Sequence, residues 1–278
     1  MRTRSTWLWL GLATTAWLLA CGTCGGPDEP PVELGEVSTT LEEAPSGEVG
    51  ATAGTWEVVS GDWAATESIV ALDGKLYVVC NGLYEVDPAT GAYERLGTGE
   101  WAGAKHMAAL GEHLYLVHEG TIYKTDKQGS WEELTSDWGA TEAIVGLGDQ
   151  LYVVCNGLYA VDPGDGTYER LGTGEWSGAR HMAALGDHLY LVHEGTIYKT
   201  DKAGAWETLA DDYAATESMA ALDGFLYLVC NGLYRVDPSS GEYLRIGTDK
   251  WDGAGHMAAL GGKLYMVHAG TIYRTAVK

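Results

Sequence analysis

The chain predicts an all-β fold: a six-bladed β-propeller of four-stranded blades, closed by an N-terminal strand that completes the last blade. Three observations carry this. WEVVSGDW, WEELTSDW and WETLADDY begin at 56, 131 and 206, a period of 75 residues. Each period divides again, because aromatics at 63, 101, 138, 176, 213 and 251 are spaced by 38, 37, 38, 37 and 38. Each sub-unit holds four short strand-like runs broken by turn residues, and such a unit repeated around a ring is a propeller.

The first sub-unit justifies the strands in order. ESIVALD, KLYVVCN, LYEVD and YERLG are separated by Asp73-Gly74, Asn81-Gly82 and the Pro88–Gly91 turn. Asp-Gly and Asn-Gly are strong tight-turn signals. LYVV, LYLV and IVAL are continuous apolar runs rather than alternating ones. Strands covered on both faces read this way, as blades packed face to face require. Nothing has the length and period of a helix. The fourth-strand segment at 56 precedes every first-strand segment, while the last blade ends at TIYRTAVK without its own. Residues 56–60 therefore supply the missing strand and leave no open edge. The propeller spans 55–278.

Residues 1–20 have the plan of a signal peptide. Arg2 and Arg4 precede the apolar TWLWLGLATTAWLLA, a basic region followed by a hydrophobic one. Leu18-Leu19-Ala20-Cys21 resembles the bacterial lipobox, which implies that Cys21 is lipid-modified and becomes the first residue. Gly22 follows, and the resemblance to sorted lipoproteins implies the outer membrane, facing periplasm or cell surface. Residues 21–54 then form a linker. Its seven acids from Gly22 onward and its lack of Lys or Arg predict a disordered, self-repelling tether.

Composition bounds the partners. With 17 Lys and Arg against 39 Asp and Glu, the formal charge is −22. No basic stripe exists to neutralise phosphates, so nucleic acid is excluded as a partner; contact with a membrane is expected only through the lipid. Sixteen Tyr and eleven Trp stand against one Phe, a bias toward aromatics with a polar handle. A monomer with no cofactor is expected.

The candidate site follows from loop geometry. Loops from fourth to next first strand, and from second to third, emerge on one face. That face receives Trp63, Trp101, Trp138, Trp176, Tyr213 and Trp251, with the turn residues Asn81, Glu119, Asn156, Glu194, Asn231 and Ala269 beside them. His118, His193 and His268 sit just before those turns. An indole face stacks on sugar C–H groups while Asn, Glu or His bonds the hydroxyls; packing between blades is the alternative role for the aromatics. Glu67, Glu142 and Glu217 beside Lys105 and Arg180 predict an ion-pair ring at the channel mouth. His106, His181 and His256 are weak metal candidates, since three imidazoles can hold zinc. Cys80, Cys155 and Cys230 read as small buried hydrophobes. The opposite face carries ordinary turns such as DPATGA and DPGDGT.

The order W-x2-L, loop, Trp, first strand, LY-x-V, IY-x-[TV]-D resembles tectonin repeats over all of 55–278. The resemblance implies six blades and, because several tectonin propellers are lectins, a multivalent carbohydrate-binding protein of the cell envelope. The alternative is a scaffold for envelope proteins. An enzyme is not expected, because catalysis needs a unique constellation and nearly every polar group here recurs three times; a metal-dependent propeller enzyme ranks third. The third unit has Tyr213, Gly255 and Ala269 where the others carry Trp, a basic residue and Glu, so its sites are expected to be weaker.

Overall fold

In the computed structural model, residues 55–277 are described. The signal peptide, Cys21 and the linker lie outside the described residues. No helix among the described residues is long and apolar enough to cross a membrane. The described chain is 24 strands in six four-stranded antiparallel sheets, and five of these blades are simple meanders: 68–96, 106–135, 143–171, 181–210 and 218–246.

The sixth blade combines the two ends of the domain. Strands His256–Leu260, Lys263–His268 and Thr271–Ala276 are joined by Glu57–Ser60, which takes the outermost position. The pairing is antiparallel, with Glu57 opposite Arg274 and Val58 opposite Tyr273. It carries a register shift between Val58 and Ser60, leaving Val59 as the extra residue. The fourth strands of blades two and four shift in the same place, at Leu134 and Leu209. The N-terminal strand thus reproduces even-blade geometry in detail. A bulge bends its strand and exposes a carbonyl, and here that carbonyl presses on the next blade. A Cβ placed on Gly91 would lie 1.9 Å from the Val59 oxygen, and one on Gly166 would lie 2.4 Å from the Leu134 oxygen. Both glycines also have φ near +74°, where a side chain is disfavoured.

No single core runs through the ring. Six apolar clusters each sit between two neighbouring blades. One joins Leu72, Tyr77, Val79 and Leu83 of the first blade to Met107, Leu114 and Leu116 of the second. The same pattern recurs around to the cluster that joins Ala258, Tyr265 and Val267 to Ile69, Leu76 and Val78. Second strands such as Leu76–Val79 are buried throughout, which is why their sequence shows no alternation. Cys80, Cys155 and Cys230 are free thiols at equivalent positions. Cys230 is buried beside the Thr216 hydroxyl, and burial pushes its thiol up to about 11.

Candidate functional site

The six loop aromatics do not face solvent. Trp63, Trp101, Trp138 and Trp176 are each 3 % exposed, Tyr213 5 % and Trp251 6 %. Each starts a one-turn loop whose carbonyl accepts an N–H three residues on, as in Thr66 to Trp63 and Ala104 to Trp101. In odd blades the Thr66, Thr141 and Thr216 hydroxyls bond the same carbonyls. That turn sends the ring inward. Trp101 packs in the cluster between blades one and two, and Trp176 in the one between blades three and four. Buried indoles have no open face for a sugar, so the stacking role expected for these six positions is corrected to one of wedging blades apart.

Their polar neighbours serve the same loops. His118, His193 and His268 point Nε2 at the carbonyls of Ala102, Ser177 and Asp252, at 2.9, 2.8 and 2.9 Å. Each also meets its tryptophan edge-on, with ring centroids 5.5–5.8 Å apart. Asn81, Glu119, Asn156, Glu194, Asn231 and Ala269 all hold φ between 47° and 61°. They occupy the left-handed corner of the second-to-third turn, a conformation Asn tolerates better than Glu or Ala. These residues are accounted for by backbone geometry.

The exposed aromatics lie elsewhere. Tyr93, Trp131, Tyr168 and Trp206 open the fourth strands and are 50, 49, 52 and 51 % exposed. Trp131 leans edge-on against Trp101 and Tyr123, with centroids at 5.8 and 5.4 Å. Trp206 leans in the same way on Trp176 and Tyr198. Each of these two indoles is therefore held in place by a buried tryptophan and a partly buried tyrosine while much of its surface stays in water. Beside Trp206 lies a groove of about 230 Å3 lined by His188, Lys199, Asp201, Ala205 and Glu207 as well. Blade two repeats the types as His113, Lys124, Asp126, Trp131 and Glu132. The equivalent Trp56 is partly buried, lying 4.5 Å from Trp251 between ring centroids. Sequence reasoning gave these fourth-strand aromatics no role beyond marking the repeat. Their strands' polar companions, as in WEEL and YERL, were the available signal of exposure.

A funnel of about 420 Å3 opens at the mouth of the axis. Its lining includes Glu67, Lys105, His106, Arg180, His181 and His256. The expected ion-pair ring is absent among the described residues. Instead Glu67, Glu142 and Glu217 reach forward one blade and accept the backbone N–H of Gly103, Gly178 and Gly253, at 2.8, 2.8 and 2.5 Å. Three carboxylates thus clasp blade to blade. Lys105 and Arg180 stay exposed and join no ion pair. Nor do His106, His181 and His256 converge. Among the described residues no group of three or more His, Cys, Asp or Glu is placed to hold a metal ion. Each ring is partly buried in the funnel wall, and the metal candidacy is corrected to that of separate polar wall residues.

These histidines make stability depend on pH. Burial, the largest cause, holds all three imidazoles below their ordinary 6.5. As pH falls through 6.5 the unfolded chain takes up protons first and the native ring resists, so stability is full above 6.5 and declines below it. The lowered aspartates, such as Asp126 and Asp165, act in the same direction but only below about pH 4. The urea midpoint is expected to drop between pH 7.5 and 5.5. The triple variant His106→Gln, His181→Gln, His256→Gln should flatten that drop; an unchanged slope would rule the histidines out as its source.

Fold and site together define a six-bladed β-propeller with an axial funnel and an aromatic outer rim. No protein-family model matches the chain, and no curated protein matches it. Solved structures do. A gluconolactonase from Xanthomonas campestris superposes with a TM-score of 0.66 at 12% identity, covering 81% of this chain and 90% of its own. A streptogramin B lyase gives 0.58 at 11% identity, covering 81% and 98%. An extracellular domain from B. thetaiotaomicron gives 0.55 at 19% identity, covering 75% of this chain and 32% of its own. These likenesses show the fold. They also correct the expectation that the chain is not an enzyme, because proteins named as a lyase and a lactonase are built on this ring. The argument from threefold recurrence fails on the structure as well. At the funnel the equivalent positions hold Lys105, Arg180 and Gly255, which breaks the symmetry where a unique constellation would sit.

Proposed function

We propose that this protein is a multivalent carbohydrate-binding propeller of the bacterial cell envelope, tethered through Cys21. The observation that carries the binding reading is the pair of braced, half-exposed indoles at Trp131 and Trp206, each next to His, Lys, Asp and Glu side chains. An aromatic surface beside charged hydrogen-bonding groups is how proteins hold sugars. Two equivalent weak sites on one rigid ring, with Tyr168 of blade three between them, gain strength on a repeating glycan by effective concentration. The third unit contributes less, because Trp56 is drawn onto Trp251 and Lys263 replaces the rim histidine.

The test is a glycan array probed with the full chain and with the Trp131→Ala/Trp206→Ala variant. Glycan binding that the variant loses, while circular dichroism shows it still folded, is the expected result. Binding that survives in the variant would move the site off the rim. A folded chain that captures no glycan but captures an envelope protein through the same tryptophans would replace the lectin reading with a protein scaffold.

A further inference from the structure

We infer that the axial funnel is a separate binding site for a small hydroxylated carboxylate of the hexuronate type. The funnel is polarised across the axis. Lys105 of blade two and Arg180 of blade four flank blade three on one side, exposed and without ion pairs. The carboxylates of the equivalent loops make no ion pair with them: Glu67, Glu142 and Glu217 accept the backbone N–H of Gly103, Gly178 and Gly253 instead. In a chain of charge −22, two cations outside any ion pair at the mouth of one cavity are groups left available to an anionic ligand. A carboxylate is the ligand group that satisfies an arginine and a lysine together.

The opposite side suits hydroxyls. Thr66, Glu67 and Ser68 line it from blade one, and His256 from blade six. Burial keeps the three histidines below 6.5, so they act as hydrogen-bonding groups and do not repel a polar neutral ring. At the third basic position stands Gly255, and a Cβ built there meets nothing within 4 Å. The missing side chain leaves one sector of the funnel open. A volume of about 420 Å3 lies within the range of small-molecule pockets. This inference stands apart from the rim reading, since it uses different residues and a different ligand group.

Calorimetric titration of the full chain with galacturonate tests it, with glucose and inorganic phosphate as comparators. Galacturonate is expected to bind once per chain, at least tenfold more tightly than either comparator. Lys105→Gln and Arg180→Gln should each weaken it about tenfold, the size of one charge-assisted hydrogen bond. Gly255→Lys, with open space for the new side chain, should strengthen it severalfold. Both cations are exposed, so each variant is expected to keep the parent urea midpoint, which serves as the folding control. Equal binding of glucose would overturn the carboxylate assignment, and equal binding of phosphate the hydroxyl side. Galacturonate binding that ignores Lys105 and Arg180, or that depends on Trp131 and Trp206 instead, would overturn the site. So would no uptake by a chain of normal midpoint.

Discussion

A chain that begins at residue 62 is expected to lose the ring. It lacks the strand Glu57–Ser60, so Thr271–Ala276 becomes an open edge. It also lacks Trp56, which covers Trp251, and the Glu57 partner of Arg274 at 2.8 Å. Truncating a packed tryptophan costs roughly 3–5 kcal/mol, and the lost ladder adds about 1 kcal/mol per hydrogen bond. Against a total stability of about 5–15 kcal/mol, that leaves little. The unpaired edge also templates association. Urea denaturation should show a much lower midpoint, and sedimentation should show species larger than one chain. A synthetic peptide of residues 50–62 should restore both. A truncated chain as stable and as small as the parent would show that the last blade closes without its fourth strand.

Trp176→Ala and Trp206→Ala are expected to separate stability from binding, although the two rings lie 5.9 Å apart. Trp176 is a wedge between blades at 3 % exposure, and its removal should cost roughly 3–5 kcal/mol with a cavity left behind. Trp206 is 51 % exposed, and its removal should cost about 1 kcal/mol, most of it the lost edge-on contact. Glycan affinity should respond in the opposite order: Trp206→Ala abolishes it at that unit, and Trp176→Ala leaves it intact wherever the protein stays folded. Equal destabilisation by both substitutions would contradict the burial difference from which the rim reading starts.

The architecture was legible because it is written in period. The 75-residue repeat, its division at the aromatics and the Asp-Gly and Asn-Gly turns specify blades without tertiary knowledge. The early fourth strand at 56 and the unfinished last blade specify how the circle closes. The bulge at Val59 was not legible, because a single extra residue leaves no mark on a pattern this short.

The site was less legible, for a definite reason. Each sub-unit offers two recurring aromatics, one in the loop and one opening the fourth strand. Spacing alone does not say which is covered. The loop turn that Thr66 and its equivalents close decides it, by pointing Trp63 and its counterparts between blades. Likewise Asn81 and Glu119 read as ligand groups in sequence, yet share a left-handed corner that explains their recurrence. Glu67, Glu142 and Glu217 were seen beside the basic residues, but their reach of 36 residues to the next blade's backbone is a distance only the ring reveals.

The strand exchanged at the closure has a consequence for how the protein can be divided. Each 75-residue period begins with a strand that belongs to the blade before it. A single period, made as a free peptide of residues 56–130, would therefore carry a donor strand at one end and an acceptor edge at the other. Donor-to-acceptor contacts of this head-to-tail kind form rings when the rotation per copy divides a full turn. Here each period sweeps one third of it. The covalent joins between periods are then conveniences of synthesis, and the object they encode is a cyclic trimer written out on one strand of messenger.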